Sequence, residues 1–254
     1  MHSYLRAAFF VLSFVGSVAQ AETSLYLEAG IPAPSREWTG GDYERTLQVL
    51  SVGKVALPRF SDRHGEAILT RLTSTENFSF HRNRTLPLQA RLEDFSKLYQ
   101  NASSLGKLYF AAATKDARLG KEVAHLVAFL LHTSEVGVEL LDEFLPTIPR
   151  DDKYAVRMDG LKRYQSGLTI IFVGAEITLA ERNNFSADDR SVVLEAMAQT
   201  LPRIKIAFLP DYRVELARKL EADKARFTRL EDIRLIDMMV RELGVGRVLL
   251  PSLP

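Results

Sequence analysis

Two histidines and a glutamate recur at intervals of seven residues in the segment HLVAFLLHTSEVGVELLDEF, residues 125–144. On a helix with 3.6 residues per turn, His125, His132 and Glu139 share one stripe. Imidazole and carboxylate groups on such a face could transfer protons or contribute to a metal site built between helices. Seven helical residues span about 10 Å, however, so one ion cannot bind two of these three side chains.

A closer pair is His132 with Glu135, because residues three apart are neighbours on a helix surface. The order H-x-x-E is the reverse of the E-x-x-H order of di-iron bundles, and H-E-x-x-H does not occur. His132, Glu135 and Glu139 are thus the candidate metal ligands. We nevertheless expect no metal and no cofactor, and favour histidines that lie on a polar face or are hydrogen-bonded in the core.

Glu176 is the second candidate for chemistry because it interrupts the apolar segment GLTIIFVGAEITLA, residues 167–180. An ionised carboxylate in apolar surroundings must be paired, or its pKa must rise. One interpretation makes Glu176, with His132, a general acid or base. The interpretation that we favour is structural: Glu176 forms a buried ion pair with an arginine, or its side chain extends to the surface.

A third cluster is basic and lies in FSFHRNRTL, residues 78–86. It could bind an anion together with nearby basic residues, although a solvated loop between helices is the interpretation we favour. The residues concerned are His81, Arg82, Arg84, Arg59, Arg63 and His64. No G-x-S-x-G, G-x-G-x-x-G or G-x-x-x-x-G-K-[ST] motif occurs, so the sequence predicts no serine-hydrolase or nucleotide site.

Residues 1–21 have the pattern of a signal peptide. Ala7 to Val15 is a continuous apolar run, and Ala19-Gln20-Ala21 has the small-x-small pattern of a cleavage site. The run is too short to span a membrane comfortably, so we expect no membrane span after cleavage. The chain contains no cysteine, which is typical of a bacterial periplasmic protein rather than of a disulfide-stabilised secreted domain. The expected location is therefore the periplasm or the extracellular medium.

Cleavage would remove one of the 33 basic side chains and leave 32 acidic ones unchanged. A chain with no net charge has no electrostatic attraction for nucleic acid or an anionic membrane surface. The sequence therefore excludes nucleic acid as an expected partner.

Helical spacing of apolar residues continues through most of the mature chain. Ser61 is the expected N-cap of a helix that ends at Leu72, and Ser186 of one that ends at Thr200. We expect an extended N-terminal arm over residues 22–41, pinned by Trp38, and one helical domain over residues 42–254. The fold prediction is an all-α, irregular multi-helix bundle of about eight to ten helices around two central apolar helices, which include residues 123–131 and 167–180. Only the terminal segment VGRVLLPSLP resembles a strand.

No catalytic motif emerges from these patterns, which favours an exported, non-enzymatic helical protein that binds an unknown protein or small molecule. One alternative is an enzyme or metal protein whose polar site lies between the two central helices and uses His132, Glu139 and Glu176. The other is a structural protein of the cell envelope.

Overall fold

The computed structural model describes residues 25–151, 153–181 and 183–244. The predicted signal peptide and the strand-like segment at residues 245–254 lie outside these ranges. The described chain is all-α and contains no strand, which confirms the predicted fold class. Its eight longer helices are α1 (Gly40–Ser51), α2 (Arg63–Leu72), α3 (Leu88–Ala113), α4 (Gly120–Phe144), α5 (Tyr154–Ala180), α6 (Ala187–Ile204), α7 (Pro210–Asp223) and α8 (Leu230–Leu243).

Several helix ends follow from local sequence. Ser186 caps α6 as predicted, in a capping box with Asp189. For α2 the cap is Asp62 rather than the expected Ser61, because the Asp62 carboxylate accepts hydrogen bonds from the backbone of His64 and Gly65. The expected end of α6 at Thr200 was also wrong, since the helix continues through Pro202 to Ile204. So close to the helix end, a proline removes only one hydrogen bond of the last turn.

Helix α4 is the centre of the bundle and packs against α3, α5 and α6. Its Phe129 stacks on Tyr43 of α1 and on Phe78, with ring centroids 5.7 and 5.2 Å apart. Trp38 meets Tyr43 edge-on and is 1% exposed, and its backbone N–H donates to Asn77. The arm is thereby held on the core by Trp38, as the sequence predicted.

Helix α5 packs on α4, as expected, but it is not buried all round. Its buried face carries Leu168, Phe172, Ala175 and Leu179 and contacts α4 and α6. The opposite side is open: the exposed fractions are 70% for Ile170, 37% for Val173 and 50% for Ile177. The prediction of a fully buried segment was therefore wrong, because α5 has neighbouring helices on one side only, and α6 is the more extensive neighbour of α4.

One segment of the described chain, Ala117–Thr147, is long and apolar enough to cross a membrane by length and composition. It contains α4, and 72% of its apolar window is buried inside the protein. A core helix passes the same test, and burial by neighbouring helices is what a core helix shows. The hydropathy of α4 therefore matches its central position in the bundle.

Candidate functional site

Arg82 binds both acidic members of the candidate metal-ligand set. Its Nε donates to Glu139 Oε2 at 3.0 Å, and its Nη2 donates to Glu135 Oε2 at 3.3 Å. His132 Nδ1 lies 3.9 Å from the same Glu135 oxygen. Burial alone would raise the pKa of Glu135, but the neighbouring His132 and Arg82 outweigh it and hold that pKa below its usual value. These carboxylates are therefore engaged by a guanidinium group.

His125, which shares a stripe of the helix with His132 and Glu139, lies in a different environment. Its ring packs against Phe60 with centroids 4.6 Å apart, and Lys121 Nζ lies 4.7 Å from the centre of the same Phe60 ring. Burial, and then the charge of Lys121, lowers the pKa of His125. Within the described residues, no three His, Asp or Glu side chains are grouped as a metal ion would require. His125 therefore has different neighbours from His132 and Glu139, and the three side chains do not form one site.

Glu176 faces α7 and is 8% exposed. Its Oε2 lies 2.8 Å from Lys219 Nζ, and Tyr212 Oη donates to its Oε1 at 2.8 Å. Lys219 also pairs with Glu215 at 2.8 Å and is 35% exposed at its side chain. The favoured buried ion pair is present, but its cation is a lysine that reaches solvent rather than an arginine. Burial, and then Glu176, raises the pKa of Tyr212, which keeps its hydroxyl a donor at neutral pH.

The basic loop forms one wall of a small polar cavity of about 180 Å³. Arg82 is paired as described, and Arg84 is paired with Glu143, whose carboxylate also accepts from the buried Arg91. Arg59 is paired elsewhere, with Asp116 at 2.8 Å. The cavity wall therefore contains both arginine and glutamate side chains rather than positive charges alone. Its lining residues are His81, Arg82, Arg84, Glu139, Leu140, Glu143 and Arg203.

His81 forms a buried pair that the sequence did not reveal. Its Nε2 lies 3.0 Å from Asp94 Oδ2, and the Gly40 backbone N–H donates to the same carboxylate at 3.0 Å. Burial raises the pKa of Asp94, but the contacts with His81 and Gly40 outweigh it and lower that pKa. Phe78, Phe80 and Phe95 meet the His81 ring edge-on. The pair ties the loop to α3 and to the start of α1.

An apolar groove lies between α3 and α5, with α4 as its floor. We call it the α3–α5 groove; its volume is about 320 Å³. Ile170, Ile171, Val127, Leu130 and Phe110 supply most of its apolar wall. The other lining residues are Tyr99, Ser103, Gly106, Lys107, Gly167 and Gly174.

A second opening of about 320 Å³ lies farther along α3, between this helix and α4; we call it the α3–α4 cleft. Tyr99 lines both openings, and burial raises its pKa to about 12. None of the described residues that line the cleft is charged. Its remaining lining residues are Leu92, Phe95, Ser96, Gln100, Gly137, Leu140, Leu141 and Phe144.

The two openings lie along a single face of α3. Leu92, Phe95, Tyr99, Ser103 and Phe110 follow one another at intervals of three, four or seven residues, which places them on one side of a helix. No motif or spacing in the sequence marks Ser103 or Lys107 as a binding residue. The only local signal for the groove is the presence of helical glycines, which cost about 1 kcal/mol each relative to alanine. Comparison with protein-family models, curated proteins and solved structures found no match for this chain.

Proposed function

We propose that this is an exported binding protein that holds an apolar ligand in the α3–α5 groove and catalyses no reaction. The groove itself supports the proposal. Ligand pockets typically have volumes of about 300–1,000 Å³ and are lined by apolar side chains with a few polar groups. The groove, at about 320 Å³, is lined by five apolar side chains, including Ile170 at its rim, by five glycine or hydroxyl-bearing positions and by a single lysine.

Gly174 supports the same proposal, because the protein's own packing does not require a glycine there. A Cβ atom added to Gly174 would meet nothing within 4 Å, whereas one added to Gly167 would approach Tyr99 Oη to 2.8 Å. Gly167 admits the Tyr99 side chain, while Gly174 leaves open space in the groove.

Exposed apolar side chains continue beyond the rim of the groove. Ile170, Val173 and Ile177 follow one another on α5 with exposed fractions of 70%, 37% and 50%. Single exposed apolar residues are ordinary, but a contiguous set beside a cavity is typical of a binding surface. These residues would extend the apolar contact of a ligand bound in the groove.

The alternative of a catalytic or metal site between α4 and α5 has weaker support. His132 and Glu139 are next to the Glu135–Arg82 cluster, whereas Glu176 binds Lys219 and Tyr212 of α7. General acid–base chemistry requires its groups to converge on one reacting atom. These three side chains are instead occupied by different partners.

A neutral fluorescent probe, N-phenylnaphthylamine, tests the groove. We expect saturable, one-to-one binding to the purified chain, and we expect Gly174→Leu to abolish it by filling the open space. Circular dichroism and thermal melting should show that the variant stays folded. The matched control is Val156→Leu, which enlarges a residue on the same helix that is 74% exposed and does not line the groove. Undiminished binding by folded Gly174→Leu would contradict the proposal.

Export is proposed from the apolar run and Ala19-Gln20-Ala21 alone. In a bacterial host, sequencing of the amino terminus of the periplasmic or secreted protein should begin at Glu22. Cytoplasmic protein that retains Met1 would contradict the proposed export, but it would not bear on ligand binding in the groove.

A further inference from the structure

Of the described residues, Lys107 is the only charged one that lines either apolar opening of α3. It is exposed at the edge of the α3–α5 groove, and it makes no ion pair with any residue that the structure describes. Every carboxylate of the polar cavity is paired, in contrast, with an arginine. The groove therefore combines a long apolar wall with one uncompensated positive charge.

Ser103 lies one helical turn before Lys107, on the same face of α3. Its hydroxyl oxygen is buried and has no hydrogen-bond partner among the residues that the structure describes. The adjacent Ser104 shows the usual arrangement, in which the hydroxyl donates to the carbonyl four residues earlier, at Gln100. A buried hydroxyl without a partner is unfavourable, so Ser103 is a donor available for a ligand atom.

The apolar face of α3 that begins at this polar end is long enough to hold a single acyl chain. Lys107 and Leu92 are fifteen residues apart on α3, which corresponds to about 22 Å of helix. One acyl chain spans about half of the roughly 30 Å hydrocarbon core of a bilayer, or about 15 Å. A chain that starts at Lys107 would therefore pass Tyr99 and enter the α3–α4 cleft.

We infer that the groove binds a free single-chain amphiphile with an anionic head group, such as a long-chain fatty acid. The inference rests on the proposed binding function and adds the class of ligand. Lys107 pairs with the carboxylate, Ser103 donates a hydrogen bond to it, and the hydrocarbon chain lies along the apolar face of α3. A membrane surface is the less suitable source of such a group, because anionic membranes attract clusters of several lysines or arginines, whereas the groove has one.

Competition experiments with the same neutral probe test the head group. Dodecanoic acid, dodecanol and dodecyltrimethylammonium have the same chain length and would be compared below the concentrations at which they aggregate. We expect the acid to displace the probe at about tenfold lower concentration than the alcohol, since a hydrogen bond to a charged group contributes about that factor. The cationic compound should bind more weakly than the alcohol.

Two variants and a control locate the effect. Lys107→Gln should remove most of the tenfold preference for the acid and leave the affinity for dodecanol unchanged, while Ser103→Ala should weaken acid binding by about threefold. Lys97→Gln removes a positive charge from an exposed position of the same helix that lines neither apolar opening, and should leave the preference intact.

The outcomes separate this inference from the proposed function. If acid and alcohol displace the probe equally, and Gly174→Leu prevents binding of both, the groove binds ligands but the inferred head group is wrong. If the probe does not bind at all, the proposed function fails. A different outcome is that the protein sediments with anionic phospholipid vesicles while the Lys107→Gln variant does not. That result would identify a membrane surface as the partner and overturn the inference of a free ligand.

Discussion

Replacing Glu176 by glutamine should reduce stability moderately, because the structure identifies its partners. Glutamine keeps the size of the side chain, and its amide oxygen can still accept the hydrogen bond from Tyr212. The substitution removes the charge that pairs with Lys219 at 2.8 Å. The ammonium group of Lys219 is then not left buried without a partner, since its side chain is 35% exposed and keeps its ion pair with Glu215.

The size of the effect follows from this half-exposed geometry. Exposed ion pairs contribute about 0.2–1 kcal/mol, hydrogen bonds to charged groups about 1.5–3 kcal/mol, and a stranded buried charge costs about 3–5 kcal/mol. Glu176 is buried and Lys219 is not, so we expect the free energy of unfolding to fall by about 1.5 kcal/mol for Glu176→Gln. In a chain of this size that lowers the melting temperature by about 3–6 °C. Glu176→Ala also removes the acceptor of Tyr212 and should cost about 3 kcal/mol.

A double-mutant cycle with Lys219→Met at pH 7 measures the pair directly. Hydrogen bonds to Glu176 and then to Glu215 raise the pKa of Lys219. A raised lysine pKa means that this stabilisation is complete below the usual value near 10.5 and is lost as pH rises through the raised pKa. The full effect should therefore appear at pH 7. An unchanged melting temperature for Glu176→Gln, or no coupling to Lys219→Met, would refute the ion-pair argument and point to a protonated Glu176.

Two further substitutions test other parts of the structure. Because the pKa of His125 is lowered, its contribution to stability is present above the usual value near 6.5 and is lost as pH falls through the lowered pKa. The His125→Gln variant should therefore lose less melting temperature than the parent protein between pH 7.5 and about pH 5. An identical pH profile for the two proteins would contradict the lowered pKa. Gly40→Ala should destabilise the protein by about 2 kcal/mol or more, because its Cβ would lie 2.4 Å from the Asp94 carbonyl oxygen. Gly174→Ala should be neutral or stabilise the protein by up to about 1 kcal/mol, because its Cβ would meet nothing within 4 Å. Equal melting temperatures for these two variants would contradict the packing described.

The helices and several of their caps could be predicted because both are local properties of the sequence. A spacing of three and four residues between apolar positions identifies a helix, and Ser186 with Asp189 identifies its start. Contacts between distant segments could not be predicted in this way. The partner of Glu176 is 43 positions away in the sequence, and that of His81 lies on another helix. Nothing near either residue distinguishes these partners from other charged residues.

The position of the groove could not be predicted for a related reason. A helix that is apolar on every side is expected to be buried on every side, yet α5 has neighbours on one side only, and Ile170 and Ile177 remain exposed. Hydropathy specifies which residues avoid water but not which helix covers them. The space at Gly174 exists because no side chain of the protein fills it, and this property depends on all three surrounding helices.

The distribution of satisfied and unsatisfied polar groups favours binding over catalysis. Glu139 and Glu176, which had the right chemistry for catalysis, are held by Arg82 and by Lys219 with Tyr212. Among the described residues, the apolar groove has a buried Ser103 hydroxyl without a hydrogen-bond partner and, at its edge, the exposed Lys107, which makes no ion pair. A bound anion would satisfy both, and an acyl chain would cover Ile170 and the space beside Gly174. One ligand would thus give the buried Ser103 hydroxyl a partner and cover exposed apolar surface, and no covalent step is needed for it to do so.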